Sequence, residues 1–459
     1  MLFSSLSFLY YFLPAVLLLY FLVPDRLKNG VLLAASLLFY GWGEPKYLFL
    51  MLLTIALYYF GGLAMGRFPR YKKGILVLCV TLGAVLLGVF KYADFFITTV
   101  NGVFGSRLPL LRLALPVGIS FYTFQCISYA ADVYRGDAAP QRNFLAFGAY
   151  VAMFPQLIAG PIVRYVDVAP ALNRRTHSRE DFALGLRRFL VGLGKKILLA
   201  NQLGALTQSY RDSGEPTVLF AWLYAAAFLL QIYYDFSGYS DMTIGLGRIL
   251  GFRFPENFDY PYCSRSITEF WRRWHMSLGS WFRDYVYIPL GGSRVSRGKW
   301  VRNILVVWML TGLWHGASWN FVLWGLMFAL LLLLEKAVPG LKKLPGVWGS
   351  CYVVLVVMVS FVLFNAENLP QAGSDLARLV GLGGIPAAGV ESLYYLRSNL
   401  VLLAVSALGA TPLPKKLWEK YENSPFMTVL EPVCLLLLLL VSTAYLVDGS
   451  FNPFLYFRF

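Results

Sequence analysis

The sequence predicts an all-α integral membrane protein: a polytopic bundle of about eleven transmembrane helices in a single domain, residues 1–459. Three observations predict it. The chain is 58% hydrophobic and only 14% charged, where soluble domains carry about 25% charged residues. Its mean hydropathy is +0.60. Apolar runs recur from end to end, several near the roughly 20 residues that cross a ~30 Å hydrocarbon layer.

In chain order the runs are Leu6–Val23, Tyr47–Met65, Ile75–Phe90, Ala221–Ile232, Ile304–Leu334, Val347–Phe364, Leu400–Ala410 and Val429–Val447. The first has no basic region ahead of it. Pro24-Asp25-Arg26 follows it in place of a small-residue cleavage site, so it reads as a retained helix rather than a signal peptide. Residues 1–110 and 337–459 read as simple spans, with a Gly/Pro/Ala-rich loop near 381–391. From 111 to 330 the pattern changes. Pro116, Gly118, Pro155, Gly160 and Pro161 interrupt apolar segments, and Gln125, Asp132, Gln156 and Arg164 appear among them. Broken helices at membrane depth persist only where protein or a wet cavity surrounds them. This stretch is therefore the expected functional core.

The net charge of +16 is read as loop charge on the cytoplasmic side, not as a nucleic-acid surface. The basic clusters are Arg67–Lys73, Arg174–Lys196, Arg265–Lys299, Lys342–Lys343 and Lys415–Lys420. Placing Arg26, Lys28 and the first cluster inside puts the N-terminus outside. The five cysteines show neither a disulfide frame nor zinc-site spacing, and no metal is expected.

The chain has three histidines, His177, His275 and His315. Ser266-Ile267-Thr268-Glu269 is a capping-box pattern that starts a helix at Ser266, expected to run to about Arg283. On it Ile267, Phe270, Trp271, Trp274, Leu278, Trp281 and Phe282 share an arc of about 120°, with arginines opposite. That describes a helix lying in the membrane interface. His275 falls at the edge of the apolar arc, where it either meets a substrate or simply tolerates the position.

His315 lies in the uncharged run between Arg302 and Glu335. A continuous helix from Asn303 to Leu334 would be about 48 Å long, more than tilt accommodates. A break into two helices is expected near Gly312, Gly316 and Asn320, with Trp308, Trp314, Trp319 and Trp324 around His315. An ionisable group at membrane depth is a functional-site hypothesis, and a desolvated imidazole stays neutral and able to accept a proton. The alternative is a buried histidine bonded to a backbone carbonyl.

At these residues the sequence resembles the membrane-bound O-acyltransferase family, in its bacterial polysaccharide O-acetyltransferase branch. The resemblance rests on Leu115 to Gln125, Gln156 to Tyr165, Tyr233 to Met242 and Glu256 to Gly292. Leu313-Trp314-His315-Gly316-Ala317-Ser318-Trp319-Asn320 and Asn452 to Phe457 complete it. It covers essentially the whole chain.

The resemblance implies a bundle with interfacial or re-entrant helices around a central funnel. It implies that His315 is the catalytic histidine and His275 the second signature position. Acetyl-CoA would be the donor, with no permanently bound cofactor. The acceptor would be a surface polysaccharide, reached from the other face of a bacterial plasma membrane. An extracytoplasmic partner of the SGNH-hydrolase type is implied as well. His315 would act as general base, and His275 would position the donor or stabilise the oxyanion. Arg164, Arg265, Arg272 and Arg273 are candidates for the CoA phosphates, and Asp235, Trp274, Trp314 and Asn320 for lining the site. Two alternatives stand beside this reading: D-alanyl transfer to teichoic acid by a related enzyme, and a non-enzymatic transporter or flippase.

Overall fold

The structure is a computed structural model that describes residues 1–449, without the side chains of residues 342 and 343. The C-terminal motif Asn452 to Phe457 lies outside the described residues, as do the side chains of the Lys342–Lys343 cluster. Every regular element among the described residues is helical. Among them the one extended pairing is an isolated antiparallel bridge between Phe258 and Trp274. Among the described residues seven helical stretches are long and apolar enough to cross a membrane. They become eight if Val390–Gly409 and Leu413–Tyr421, bent by 67°, count as one span. The chain is thus a multi-pass membrane protein. The sequence predicts about eleven spans, and this count does not reach that number; Ser7–Leu22, read as a span, is a shorter apolar helix.

The chain divides into two compact units. The first comprises Met1–Phe189 and Ser240–Glu256. In it α1 (Asp25–Gly43) packs on α5 (Phe144–Ala152), α2 (Leu48–Arg67) on α3 (Lys72–Leu87), and α3 on α4 (Ile119–Arg135). Gly118, with φ +72°, turns the chain into α4. A Cβ there would overlap the carbonyl oxygen of Leu157. Pro155 likewise opens the short helix Phe154–Leu157, whereas Gly160 and Pro161 lie in a buried non-helical stretch before Tyr165. Arg188, counted among the loop cations, joins Asp241 at 2.9 Å and Glu256 at 2.5 Å.

The second unit comprises Leu190–Tyr239 and the chain from Asn257 onward. It holds most of the long helix α6 (Val218–Ile249), then the short α7 (Ile267–Arg273) and α8 (Met276–Phe282). The hairpin of α9 (Arg297–His315) and α10 (Trp319–Ala337) follows, then α11 (Gly346–Asn365) and α12 (Leu369–Leu379). α10 packs against α9, α7 and α11.

The long run breaks at Gly316-Ala317-Ser318, as its length requires. Gly312 does not mark that break. It sits inside α9, where a Cβ would overlap the carbonyl oxygen of Phe321. A Cβ on Gly325 would overlap the carbonyl oxygen of Trp308. In a lipid environment helices gain little by hiding apolar surface from water, so close backbone approach at small residues is what holds them together. Gly312 and Gly325 are the contact points of the hairpin.

The helix expected from Ser266 to Arg283 is two helices. Ser266 caps α7 by accepting a hydrogen bond from the backbone N–H of Glu269 at 3.1 Å. The capping box stays half formed, because the Glu269 carboxylate accepts from the backbone of Arg265 at 2.8 Å. The first two N–H groups of α7 go to Glu335 at the end of α10. Its carboxylate accepts from Ile267 at 2.6 Å and from Thr268 at 3.0 Å, and from the Thr268 hydroxyl at 2.7 Å. α7 stops at Arg273. The Phe258–Trp274 bridge and the bond from Met276 N–H to the Asn257 carbonyl, 3.0 Å, take over the backbone there. The apolar face does not look onto lipid. Ile267, Phe270, Trp274, Leu278, Trp281 and Phe282 are all buried within the protein.

Candidate active site

His315 is the last residue of α9. Its Nδ1 lies 2.7 Å from the carbonyl oxygen of Thr311, one turn back in the same helix. A carbonyl can only accept, so Nδ1 carries the proton and Nε2 carries the lone pair. The side chain is buried, with 7% exposure. Around it stand Trp324 at 5.0 Å between ring centres, Trp314 at 5.0 Å and Phe364 at 5.5 Å. Two of the four expected tryptophans are elsewhere. Trp308 packs on Trp271 and Phe328, and Trp319 is exposed.

His275 stands in the gap between α7 and α8, buried rather than interfacial. Its φ of +45° is left-handed, a region that costs a non-glycine residue energy unless its surroundings enforce it. Asn257 enforces it. The buried side-chain oxygen of Asn257 lies 3.1 Å from His275 Nδ1. It also accepts from the Ser277 hydroxyl at 2.8 Å and the Ser277 N–H at 3.3 Å. The backbone N–H is an obligate donor, which makes the facing amide atom oxygen. His275 therefore also holds its proton on Nδ1 and its lone pair on Nε2. Phe236 packs edge-on against the ring at 4.6 Å, and Trp314 lies 5.6 Å away. Burial first, and the neighbouring His315 second, push the His275 imidazole well below its ordinary pKa. It is neutral at neutral pH.

Trp314 thus lies between the two histidines, touching both. Trp274 is buried in an aromatic cluster with Tyr233, Phe258, Tyr262, Phe270 and Phe361, which holds the bridge next to His275. Asn320, in the first turn of α10, donates to the carbonyl of Ala366 at 2.8 Å. Asp235 is buried and pairs with Lys196 at 2.5 Å. Lys196 is therefore no loop cation but an internal counter-charge. Arg273 pairs with Glu269 at 2.7 Å. Arg272 is exposed on α7, and the exposed Arg265 runs along Gly346 and Gly349 at the start of α11. Arg164 belongs to the first unit, at the start of the helix Tyr165–Asn173, where its backbone N–H donates to Asp167 at 3.2 Å. Among the described residues no group of three His, Cys, Asp or Glu could hold a metal ion.

Two residues that shape this region carry little sequence signal. Asn257 reads as loop, and only its place in the Glu256–Tyr262 motif marks it. Glu335 reads as the end of a span, although an acid that close to an apolar run needs a partner.

The model of the membrane-bound O-acyltransferase family matches residues 139–366, which include both histidines. The chain is 45% identical to the probable alginate O-acetylase AlgI of Pseudomonas aeruginosa, over 93% of this chain and 84% of that protein. It is 39% identical to the probable alginate O-acetylase AlgI of Azotobacter vinelandii over 100% of both chains. With the peptidoglycan O-acetyltransferase of Helicobacter pylori it shares 31% identity, over 100% of this chain and 98% of that protein. The chain belongs to the membrane-bound O-acyltransferase family, in its bacterial polysaccharide O-acetyltransferase branch, and is an acyltransferase.

Proposed function

We propose that this chain takes an acetyl group from cytoplasmic acetyl-CoA and passes it across a bacterial plasma membrane for O-acetylation of a cell-surface or exopolysaccharide. His315 is the general base of that reaction. The observation that carries the assignment is the hydrogen bond from His315 Nδ1 to Thr311, which fixes the proton on Nδ1 and makes Nε2 the nitrogen that carries the lone pair. An acceptor hydroxyl gives its proton to Nε2 as its oxygen attacks the thioester carbonyl. The new C–O bond forms, the C–S bond breaks, and the proton passes on to the CoA sulfur. The acceptor hydroxyl belongs to the glycan or to an extracytoplasmic protein that relays the group. The names of the similar proteins point to alginate and peptidoglycan as the kinds of glycan involved.

Of the two roles expected for His275, positioning the donor or stabilising the oxyanion, the second does not suit its tautomer. Stabilising an oxyanion requires a donor. With its proton held by Asn257, neutral His275 offers only a lone pair at Nε2. That nitrogen accepts from a substrate N–H or O–H other than the reacting hydroxyl and so orients the bound substrate. Two adjacent imidazoles do not both ionise readily, so a proton taken by one disfavours protonation of the other. Arg164, Arg265 and Arg272 stay candidates for the CoA phosphates, while the guanidinium of Arg273 is engaged by Glu269.

The test is the O-acetyl content of surface glycans in a deletion strain. Complementation with the wild-type chain restores it, and equal amounts of membrane-inserted His315→Ala do not. Restoration by His315→Ala rejects the assignment.

A further inference from the structure

The open end of the α9–α10 hairpin carries a second feature. A cavity of about 880 Å³ lies between the first turns of α9 and the last turns of α10, lined by Arg297, Trp300, Met327, Leu330, Leu334 and Lys336 among others. Its volume is in the range of sites that hold small amphiphilic ligands. Leu330 and Leu334 are one helical turn apart and both exposed. They form a strip along α10, itself a candidate membrane span. Arg297 and Lys336 are exposed at the end of that strip, and the Lys336 ammonium lies 4.0 Å above the Trp300 ring. Arg294, Lys299 and Arg302 add cations to the same end. The acid of this stretch, Glu335, is buried and turned onto α7, so it does not neutralise them.

We propose that this groove binds an anionic phospholipid. Its headgroup phosphate lies between Arg297 and Lys336, and an acyl chain lies along Leu330 and Leu334. Charge and polarity together select this occupant. The strip runs where hydrocarbon lies, and the cations stand where headgroups lie. A soluble anion would leave the leucines uncovered, and a neutral lipid would leave the cations unmatched. The groove is separate from the histidines: Arg297 is about 27 Å from His315 along α9 at ~1.5 Å per residue. The proposal rests on neither histidine.

The full chain is reconstituted in phosphatidylcholine vesicles that contain a minor fraction of either phosphatidylglycerol or phosphatidylcholine with brominated chains. Quenching of Trp300 is read as the difference between wild type and Trp300→Phe. Brominated phosphatidylglycerol quenches it several-fold more than brominated phosphatidylcholine at the same fraction. Arg297→Gln with Lys336→Gln removes that preference. Arg297→Lys with Lys336→Arg keeps it, which separates loss of charge from loss of fold. Equal quenching by the two lipids in wild type overturns the proposal, and so does a preference that survives the glutamine pair. Absence of quenching by either lipid also overturns it, because a protein surface, such as a second copy, then covers the groove.

Discussion

The two histidines of this protein are held in the same tautomer by opposite means. His315 ends a regular helix and bonds to the carbonyl of its own preceding turn. His275 interrupts a helix, takes a left-handed backbone, and bonds to a side chain 18 residues earlier. The first arrangement needs only a helix that stops at the right residue. The second needs the Glu256–Tyr262 loop to fold back, form a bridge with Trp274 and deliver Asn257. One imidazole is set locally, and the other is set by tertiary structure and answers to residues far away in sequence.

That contrast can be attacked through the partners. The largest effect is expected at Asn257. Asn257→Asp keeps the acceptor and adds a negative charge, which favours the charged imidazole and raises the His275 pKa. In wild type that pKa is depressed, so His275 is neutral and accepting down through the ordinary imidazole range. In the variant the accepting form is present only above the raised pKa. The transfer rate should then fall by about tenfold per pH unit below it and recover in alkali. A pH–rate profile of Asn257→Asp that overlays wild type would detach Asn257 from His275.

A smaller effect, on stability alone, is expected at Glu335. Its carboxylate satisfies three donors at the start of α7. Glu335→Gln replaces one acceptor oxygen by an amide donor, at a cost of about 1–3 kcal/mol for a buried group left unmatched. Thermal unfolding in detergent should shift down, while transfer per folded molecule stays near wild type. An unchanged unfolding temperature would show that α7 is held by something else.

The smallest effect belongs to Thr311. Thr311→Ala removes a hydroxyl that bonds to Val307 and leaves the carbonyl that holds His315. kcat/KM should stay within about twofold of wild type. A large loss would mean that the side chain, not the backbone, sets the tautomer.

The same contrast explains what could be read from the sequence. The break before Trp319 was legible, because chain length against membrane thickness demands it. Ser266 as a cap was legible, since a cap is a local hydrogen bond. The stop at Arg273 was not. Periodicity carries the apolar face of α7 smoothly through Trp274 to Phe282, and nothing local announces that Asn257 and Trp274 will pair. The burial of that face was equally hidden, because an apolar stripe reads the same against lipid and against protein. Lys196 and Arg188 looked like loop charge because their acids, Asp235, Asp241 and Glu256, lie some 40 to 70 residues away in the chain. His315 was found because an imidazole in an uncharged run is rare. Asn257 was underrated because an asparagine in a loop is ordinary.

The central claim is that Nε2 of His315 takes the proton. It is tested most directly by the rate of acetyl transfer from acetyl-CoA, measured on reconstituted protein with equal folded amounts of wild type and His315→Ala. General-base catalysis is worth about 10²–10⁴ in rate, and a loss of that size with unchanged thermal unfolding is the predicted result. A His315→Ala rate within a few-fold of wild type would contradict the account.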